Sequence, residues 1–274
     1  MKISVVMGIY NSEKTLRESL DSMVTQSFQD FEIIVCDDGS QDNTLAIAQS
    51  YKSFFHNRLT ILVNPVNKGL AYSLNKCLAV AKGEYVARMD ADDIAMRNRF
   101  ELQLNYLDNH PDIAMVGCSV LLFDDKGIWG TRTSKESPGK KDFLKTSQFV
   151  HPTILIRKKV LTDLDGYAVE KSTLRAEDYD LFMRFYAEGY KGSNLPDTLL
   201  LYREDASTFK RRSYNNRFDE MKVRYRGFKR MDLLPLGFPY VIKPLIVGLI
   251  PQRVLKILRR EQHTPLLKTM KVKS

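Results

Sequence analysis

Three aspartates within four residues are the part of this sequence best suited to chemistry. Asp90, Asp92 and Asp93 directly follow an apolar run, and carboxylates this close repel one another unless a cation or water offsets their charge. Oxygen ligands on a loop suit Mg²⁺ or Mn²⁺, which commonly bridge protein carboxylates to substrate phosphates. A solvated turn that caps a helix is the alternative interpretation, because Asp is a common N-cap residue.

A second polar group is the run Asp37-Asp38-Gly39-Ser40. These residue types are typical of tight turns, so a plain turn is one interpretation. A carboxylate at this place could also accept hydrogen bonds from a nucleotide base or a ribose. The choice between the two depends on what lies beside it in the fold.

The elements that must position these loops alternate through the first half of the chain. Short apolar runs predict strands at residues 3–9, 31–36, 59–63 and 84–89, with helical patterns between them. Such repeats build a mainly parallel sheet, and ligands of these sheets bind outside the carboxyl ends of the strands. We therefore expect the loops that begin at Tyr10, Asp37 and Asp90 to converge on one edge.

The second half of the chain is less regular. Its patterns predict a hairpin of residues 113–123 and 128–131, a strand at 153–157, a helix from about 177 to 189 and a basic helix over 207–230. We see neither an internal repeat nor a low-complexity linker. The sequence thus indicates one continuous domain over 1–230, with a nucleotide-binding half at about 1–110, an acceptor half at about 111–230 and a C-terminal extension at 231–274.

Six motifs, in this order, resemble those of the family 2 glycosyltransferases of GT-A fold. They are Ser4–Asn11, Asp37–Ser40, Asn67–Gly69, Met89–Asp93, His151–Thr153 and Ala176–Leu181. The resemblance implies an α/β fold of GT-A type, a Rossmann-like and mostly parallel sheet flanked by helices. It also implies inverting transfer of a sugar from a nucleotide sugar, as in bacterial polysaccharide biosynthesis.

The resemblance further implies roles for single residues on the donor side. Tyr10 and Asp38 match positions that contact the nucleotide base, and Lys68 lies where the base or its ribose is often held. Asp90 matches the carboxylate for ribose and phosphate. Asp92 matches the carboxylate that binds the divalent metal, Mn²⁺ or Mg²⁺.

On the acceptor side, Asp178 matches the catalytic base of the inverting members, and Glu177 precedes it. Both are expected to open a helix, whose positive end would favour their ionised forms. Complementing that helix dipole is the alternative role. His151 could contact phosphate or acceptor, although a histidine before a proline is often structural.

Two departures from the family pattern stand out. Gly8 occupies a position that is usually Pro, which should alter only the end of the first strand. Tyr202-Arg203-Glu204-Asp205 continues with acids where many members carry a His near the diphosphate. Because that His is absent, no residue of this sequence matches the second protein ligand of the metal.

Composition bears on partners and compartment. The 274 residues carry a formal net charge of +9, which suits a polyanionic partner such as a membrane, a nucleic acid or a phosphate-rich small molecule. Cys36, Cys77 and Cys118 form no C-x-x-C pair, which argues against a disulfide scaffold or a zinc site. The apolar start is too short for a signal peptide, so a cytoplasmic protein is expected.

The C-terminal extension combines an apolar and a basic part. Residues 233–251 are strongly apolar, but prolines at 235, 239, 244 and 251 are expected to break the run, so we do not expect a membrane crossing. Bases and apolar residues then alternate over 253–260, a pattern that fits an anionic membrane surface. Packing on the catalytic domain or on a partner subunit is the alternative.

Together these patterns predict a metal-dependent, inverting hexosyltransferase that uses a UDP-hexose or UDP-N-acetylhexosamine. Its expected acceptor is a lipid-linked oligosaccharide precursor of O-antigen, capsule or exopolysaccharide, at the inner face of the cell membrane and without nucleic acid. A sugar-nucleotide nucleotidyltransferase is one rival, but such enzymes usually carry a Gly-rich basic loop where this chain has Met7–Ser12. A non-catalytic module that binds membranes or polyanions is another, and it would leave the acidic loops unexplained.

Overall fold

The computed structural model describes residues 1–204, 214–249 and 264–265. Strands and helices alternate in its first half, as the apolar pattern predicts: β1 (Ile3–Ile9), α1 (Leu16–Val24), β2 (Phe31–Asp37), α2 (Thr44–Ser50), α3 (Lys52–Phe55), β3 (Leu59–Val63), α4 (Leu70–Val80) and β4 (Tyr85–Arg88). Strand β1 pairs in parallel with β2 and β4, and β2 pairs in parallel with β3. Residues of β1, β2 and β4 are almost all buried, which explains their continuous apolar runs.

The second half adds shorter and more irregular elements. They are β5 (Ile94–Ala95), α5 (Arg99–Asn109), β6 (Met115–Asp124), β7 (Gly127–Arg132), β8 (Leu155–Arg157), α6 (Lys158–Asp163), α7 (Glu177–Ala187), β9 (Gly192–Arg203), α8 (Tyr214–Arg230), α9 (Leu234–Leu249) and β10 (Thr264–Pro265). The described residues also contain 3₁₀ turns, one in the first half at His56–Arg58 and three in the second half at Lys140–Leu144, His151–Thr153 and Lys171–Thr173. The hairpin of β6 and β7 and the helix that starts at Glu177 are confirmed.

All strands join one sheet, in the order β10-β7-β6-β8-β4-β1-β2-β3, with β9 paired to β6 and β5. Strand β8 runs antiparallel to both β4 and β6, and it thereby connects the two halves. The sheet is thus parallel over β1–β4 and mixed beyond them. The predicted parallel, Rossmann-like sheet is confirmed in the first half, and the second half adds one more parallel pair, β6 with β9.

Side chains alternate between two cores, one on each face of the sheet. Along β1, Ile3, Val5 and Met7 face the core that α1 and α5 help to build, whereas Val6 faces the core beneath α4 and α7. The sheet therefore holds its strand ends rigidly between two packed layers. Loops that follow β1, β2 and β4 inherit that rigidity.

The apolar part of the C-terminal extension folds onto the domain. Met231 and Val241 belong to the core beneath α7, and α9 packs along α8. The expectation that prolines break this run is wrong, because α9 continues through Pro239 and Pro244. Packing against α8 compensates for the backbone hydrogen bonds that the two prolines remove. The basic segment 253–260 lies outside the described residues.

Candidate active site

The polar loops after β1, β2 and β4 meet at one edge of the sheet, as the sequence predicts. The backbone N–H of Asn11 donates to Ser40 Oγ at 3.0 Å, and Asn11 Oδ1 accepts from the N–H of Gln41 at 2.8 Å. Asn11 reaches this position with φ of 48°, a left-handed conformation that Asn tolerates. Ser19 Oγ donates to the backbone oxygen of Asp90 at 2.8 Å. The loop after β4 is thereby fixed to α1.

The carboxylate of Asp38 is buried and holds the loop 67–69. Its Oδ1 accepts from Asn64 Nδ2 at 2.7 Å and from the backbone N–H of Lys68 at 2.9 Å. Its Oδ2 accepts from the backbone N–H of Gly69 at 2.8 Å. These bonds occupy both oxygens, so Asp38 shapes the loop that would border a bound base. Direct contact of Asp38 with the base stays a prediction.

Two neighbours of Asp38 have roles that the sequence did not reveal. Asp37 is also buried; its Oδ2 accepts from the N–H of Ser40 at 3.2 Å, and its Oδ1 has no hydrogen-bond partner within residues 1–204, 214–249 and 264–265. Gly39 adopts φ of +76°, and a Cβ there would lie about 3.0 Å from the backbone of Val66. A side chain at Gly39 would therefore force the loops apart.

The acidic cluster Asp90, Asp92 and Asp93 has the geometry of a cation site. Oxygens of the three carboxylates all lie within 4.8 Å of one another, with Asp92 exposed and Asp93 buried. Desolvation and then the charge of Asp90 raise the pKa of Asp92 to about 6, and the same causes raise the pKa of Asp93 well above its usual value. Asp93 Oδ2 is buried and has no hydrogen-bond partner among the described residues. The more accessible carboxylates of Asp90 and Asp92 offer hard oxygen ligands that fit a divalent metal.

Arg203, at the end of β9, contacts the loop that carries this cluster. Its Nε donates to the backbone oxygen of Asp92 at 3.2 Å. Its two terminal nitrogens reach Glu18 on α1 at 2.6 Å and Asp125 in the β6–β7 turn at 3.1 Å. The guanidinium also lies over the ring of Phe123, 4.4 Å from its centre. The side chain of Arg203 thus connects α1, β6 and the β6–β7 turn with the acidic loop.

A second pair of carboxylates, Glu177 and Asp178, opens α7. Burial and then the charge of Asp178 raise the pKa of Glu177 to about 7. Desolvation thus outweighs the support for the ionised form that the helix end is expected to give Glu177. Tyr167 lies near both carboxylate groups, since the charges of Asp178, Glu177 and Asp90 add to the burial that raises its pKa.

Comparison with known proteins decides what this arrangement belongs to. Residues 4–165 match the family model described as glycosyl transferase family 2. This chain is a member of that family. It is 41% identical over 254 residues to glycosyltransferase EpsE of Bacillus subtilis, across 93% of this chain and 91% of EpsE. It is also 30% identical to the amylovoran biosynthesis glycosyltransferase AmsE of Erwinia amylovora, across 93% and 97%.

Solved structures show the same GT-A fold. S. aureus TarS in complex with UDP matches with a TM-score of 0.69 and 22% identity, over 94% of this chain and 78% of that one. The mannosyltransferase PcManGT of Pyrobaculum calidifontis, in complex with GDP-Man and Mn²⁺, matches with a TM-score of 0.62 and 19% identity, over 95% and 80%. Membership of the family decides against the nucleotidyltransferase and the non-catalytic module.

The remaining predicted residues of this glycosyltransferase lie around the same edge. Tyr10 is 46% exposed where β1 ends, so its ring is available for stacking on a base. Lys68 is exposed and, with Gly69, Tyr72 and Leu174, lines a groove of about 210 Å³. Both side chains are free of the packing that occupies Asp38. Their contacts with a nucleotide stay predictions.

His151 is buried behind the site rather than open to it. Its Nε2 lies 2.8 Å from the hydroxyl of Tyr167, and its ring packs edge-on against Phe182. Burial and then the charge of Arg88 lower the pKa of His151 well below its usual value, so the ring is neutral. This packing agrees with the structural interpretation of His151. A contact with substrate stays a prediction.

Proposed function

We propose that this glycosyltransferase transfers a sugar from a nucleoside diphosphate sugar to an acceptor hydroxyl with inversion at the anomeric carbon. The observation that carries the proposal is the acidic cluster, whose three carboxylates lie within 4.8 Å of one another, together with the carboxylates Glu177 and Asp178 at the start of α7, since charges of both groups act on the hydroxyl of Tyr167. Inverting transfer requires a group that stabilises the leaving diphosphate on one side of the anomeric carbon and a base for the attacking hydroxyl on the other. We assign the first task to the acidic cluster and the second to Glu177-Asp178.

On the donor side, Asp92 would hold Mn²⁺ or Mg²⁺, with Asp90 beside it toward ribose and phosphate. When bound, the cation neutralises the charge that builds on the departing diphosphate. Tyr10 and Lys68 would border the base and ribose. TarS complexes with UDP and with UDP-GlcNAc support a uridine nucleotide, so we propose a UDP-hexose or UDP-N-acetylhexosamine as donor.

On the acceptor side, Asp178 acts as the general base. It takes the proton of the acceptor hydroxyl while that oxygen forms a bond to the anomeric carbon. The bond from this carbon to the diphosphate breaks, and its electron pair leaves with the nucleotide. Glu177, with its pKa near 7, remains partly protonated at neutral pH.

Names of the relatives point to the acceptor class. AmsE is an amylovoran biosynthesis enzyme, and WbnJ of Escherichia coli is an O-antigen biosynthesis glycosyltransferase. WfaP of Escherichia coli, 25% identical to this chain, is named for transfer to a sugar on diphosphoundecaprenol. These names support a lipid-linked saccharide as acceptor, within synthesis of a bacterial surface polysaccharide.

The outer surface of α9 supports attachment to a membrane. None of the described helices has the length and apolarity that a membrane crossing needs. Yet α9 exposes five large apolar side chains, those of Leu236, Phe238, Ile242, Ile246 and Leu249. Lys243 is the one charged residue of this helix. The neighbouring helix α8 is rich in Lys and Arg. An apolar face beside cationic residues fits an anionic bilayer surface, and this supports our proposal that the enzyme works at the inner face of the cell membrane.

A panel of donors tests this function. Full-length protein would be incubated with UDP-, GDP- and dTDP-sugars and with lipid-diphosphate saccharides, in Mn²⁺, Mg²⁺ or chelator. We expect transfer from a UDP-sugar that a divalent cation supports and chelator abolishes, with a product of inverted anomeric configuration. Full activity in chelator would remove the metal role of Asp92, and a retained configuration would remove the mechanism.

A further inference from the structure

Arg88 lies beneath the acidic cluster, at the end of the central strand β4. Its backbone N–H donates to the oxygen of Ile154 at 3.1 Å, and its backbone oxygen accepts from Arg99 Nη2 at 2.9 Å. Its side chain is only 3% exposed. The main chain at Arg88 is therefore held on both sides, and its guanidinium points into the protein rather than into water.

The guanidinium of Arg88 has few partners for a buried charge. Its Nη1 forms an ion pair with Asp90 Oδ2, and its buried Nε has no hydrogen-bond acceptor in the part of the chain that the structure describes. Burial alone would lower the pKa of Arg88, but the charge of Asp90 outweighs it and the pKa is raised. A buried cation with unused donors is costly to the fold. Such a group needs an explanation beyond packing.

The surroundings of Arg88 give that explanation. The charge of Arg88 interacts with the carboxylates of Asp90, Asp92 and Asp93 in the loop after β4. It also interacts with Glu177 at the start of α7. The charge of Arg88 also acts on the ring of His151 and on the hydroxyl of Tyr167. Arg88 is thus a buried cation whose charge acts on both carboxylate groups.

We propose that Arg88 is a positioning residue of the donor site, which fixes the orientation of Asp90 through their ion pair before metal and nucleotide bind. Its positive charge also offsets part of the repulsion among three crowded carboxylates. The metal and the diphosphate then enter a preformed arrangement, so little reorganisation opposes binding. This inference rests on the proposed function, because it names the donor site as the place where the ion pair acts.

Binding of UDP with saturating Mn²⁺, measured by calorimetry, tests the inference. We expect Arg88→Met to weaken UDP binding by about 10–100-fold, the usual loss when a partner that orients a metal-site ligand is removed. Arg88→Lys keeps the charge and should restore most of the affinity. Arg88→Gln, which is polar and nearly as long, serves as a second neutral variant if Arg88→Met folds poorly.

A double-mutant cycle with Asp90→Asn separates positioning from a general structural loss. If Arg88 acts through Asp90, adding Arg88→Met to Asp90→Asn should change UDP affinity by less than about three-fold. Arg157→Met is the matched control, since Arg157 makes three hydrogen bonds at the opposite end of the β4–β8 pair. It should lower the melting temperature and leave UDP binding unchanged.

The outcomes distinguish the inference from the proposed function. Unchanged UDP affinity in Arg88→Met, or losses that simply add in the double variant, would overturn the role of Arg88 and leave the function intact. Wild-type protein that binds no nucleoside diphosphate with either metal would overturn the function itself, and the donor-site role of Arg88 with it.

Discussion

The backbone N–H of Arg203 donates a hydrogen bond of 2.9 Å to Asp93 Oδ1, and this bond ties β9 to the acidic loop. The two residues are far apart in sequence and come from opposite halves of the fold. Asp93 is 1% exposed, so it shapes the loop rather than facing the cleft. The bond thus assigns a structural role to the one member of the cluster for which the sequence offers none.

Asp93→Asn should therefore be well tolerated. Asparagine keeps an Oδ1 acceptor for Arg203, so UDP affinity with Mn²⁺ should stay within about three-fold of wild type. Asp93→Ala removes the acceptor and should lower the free energy of unfolding by about 1–3 kcal/mol. Urea denaturation and calorimetry measure both quantities. A complete loss of UDP binding in Asp93→Asn would show instead that Asp93 is a metal ligand.

Asp178→Asn should remove the base without disturbing the donor. We expect kcat to fall by about 10²–10⁴-fold, the usual contribution of general base catalysis, with UDP affinity unchanged. Glu188→Gln, an exposed change at the other end of α7, is the control and should have no effect on either quantity. Normal turnover by Asp178→Asn would remove the proposed base.

Glu177 should make stability depend on pH. Its pKa rises from an ordinary 4.5 to about 7 in the folded protein, so the folded state binds the proton more tightly. The stabilisation is full below about pH 4.5 and is lost as pH rises through about 7. The free energy of unfolding of Glu177→Gln, taken relative to that of wild type, should rise between pH 5 and pH 8 by on the order of 1–3 kcal/mol. The same difference between variant and wild type at both pH values would contradict the raised pKa of Glu177.

The apolar face of α9 should carry membrane binding. The double variant Phe238→Ser and Ile246→Ser should weaken binding to phosphatidylglycerol vesicles by about ten-fold or more, because two large side chains no longer enter the lipid. Phe54→Ser is a matched control, since Phe54 is 57% exposed and Phe238 is 56% exposed. Co-sedimentation measures the binding. Equal retention of all variants on vesicles would remove α9 from the membrane contact.

How far the sequence predicts the fold depends on how continuous each apolar pattern is. Strand β1 begins and ends where its apolar run does, because burial on both faces of a parallel sheet demands such a run. Strand β3 also matches its apolar run, although it lies at the edge of the sheet and is only partly buried. Strand β9 was not predicted, although it has 12 residues. Its Pro196 and Asp197 interrupt the strand pattern, and a register shift between Cys118 and Ser119 on β6 accommodates them.

The candidate site also contains parts that local sequence patterns predict and parts that they do not. Its loops were predictable because carboxyl ends of parallel strands must meet at one edge. Arg88 and Tyr167 were not, because each draws its role from partners distant in the chain. A charged residue inside a buried strand, directly before the acidic loop, was the available signal for Arg88. For Tyr167, the sequence offers no signal of a role in the site beyond its position a short distance before Glu177.

Calorimetric titration of UDP into the full-length protein, with and without Mn²⁺, tests the central claim most directly. We predict that UDP binds only with the cation, and that Asp92→Asn weakens this binding by about 10–100-fold while the melting temperature of the metal-free protein does not fall. UDP binding that is equally strong in chelator, or in Asp92→Asn, would contradict a metal and diphosphate site at the acidic loop.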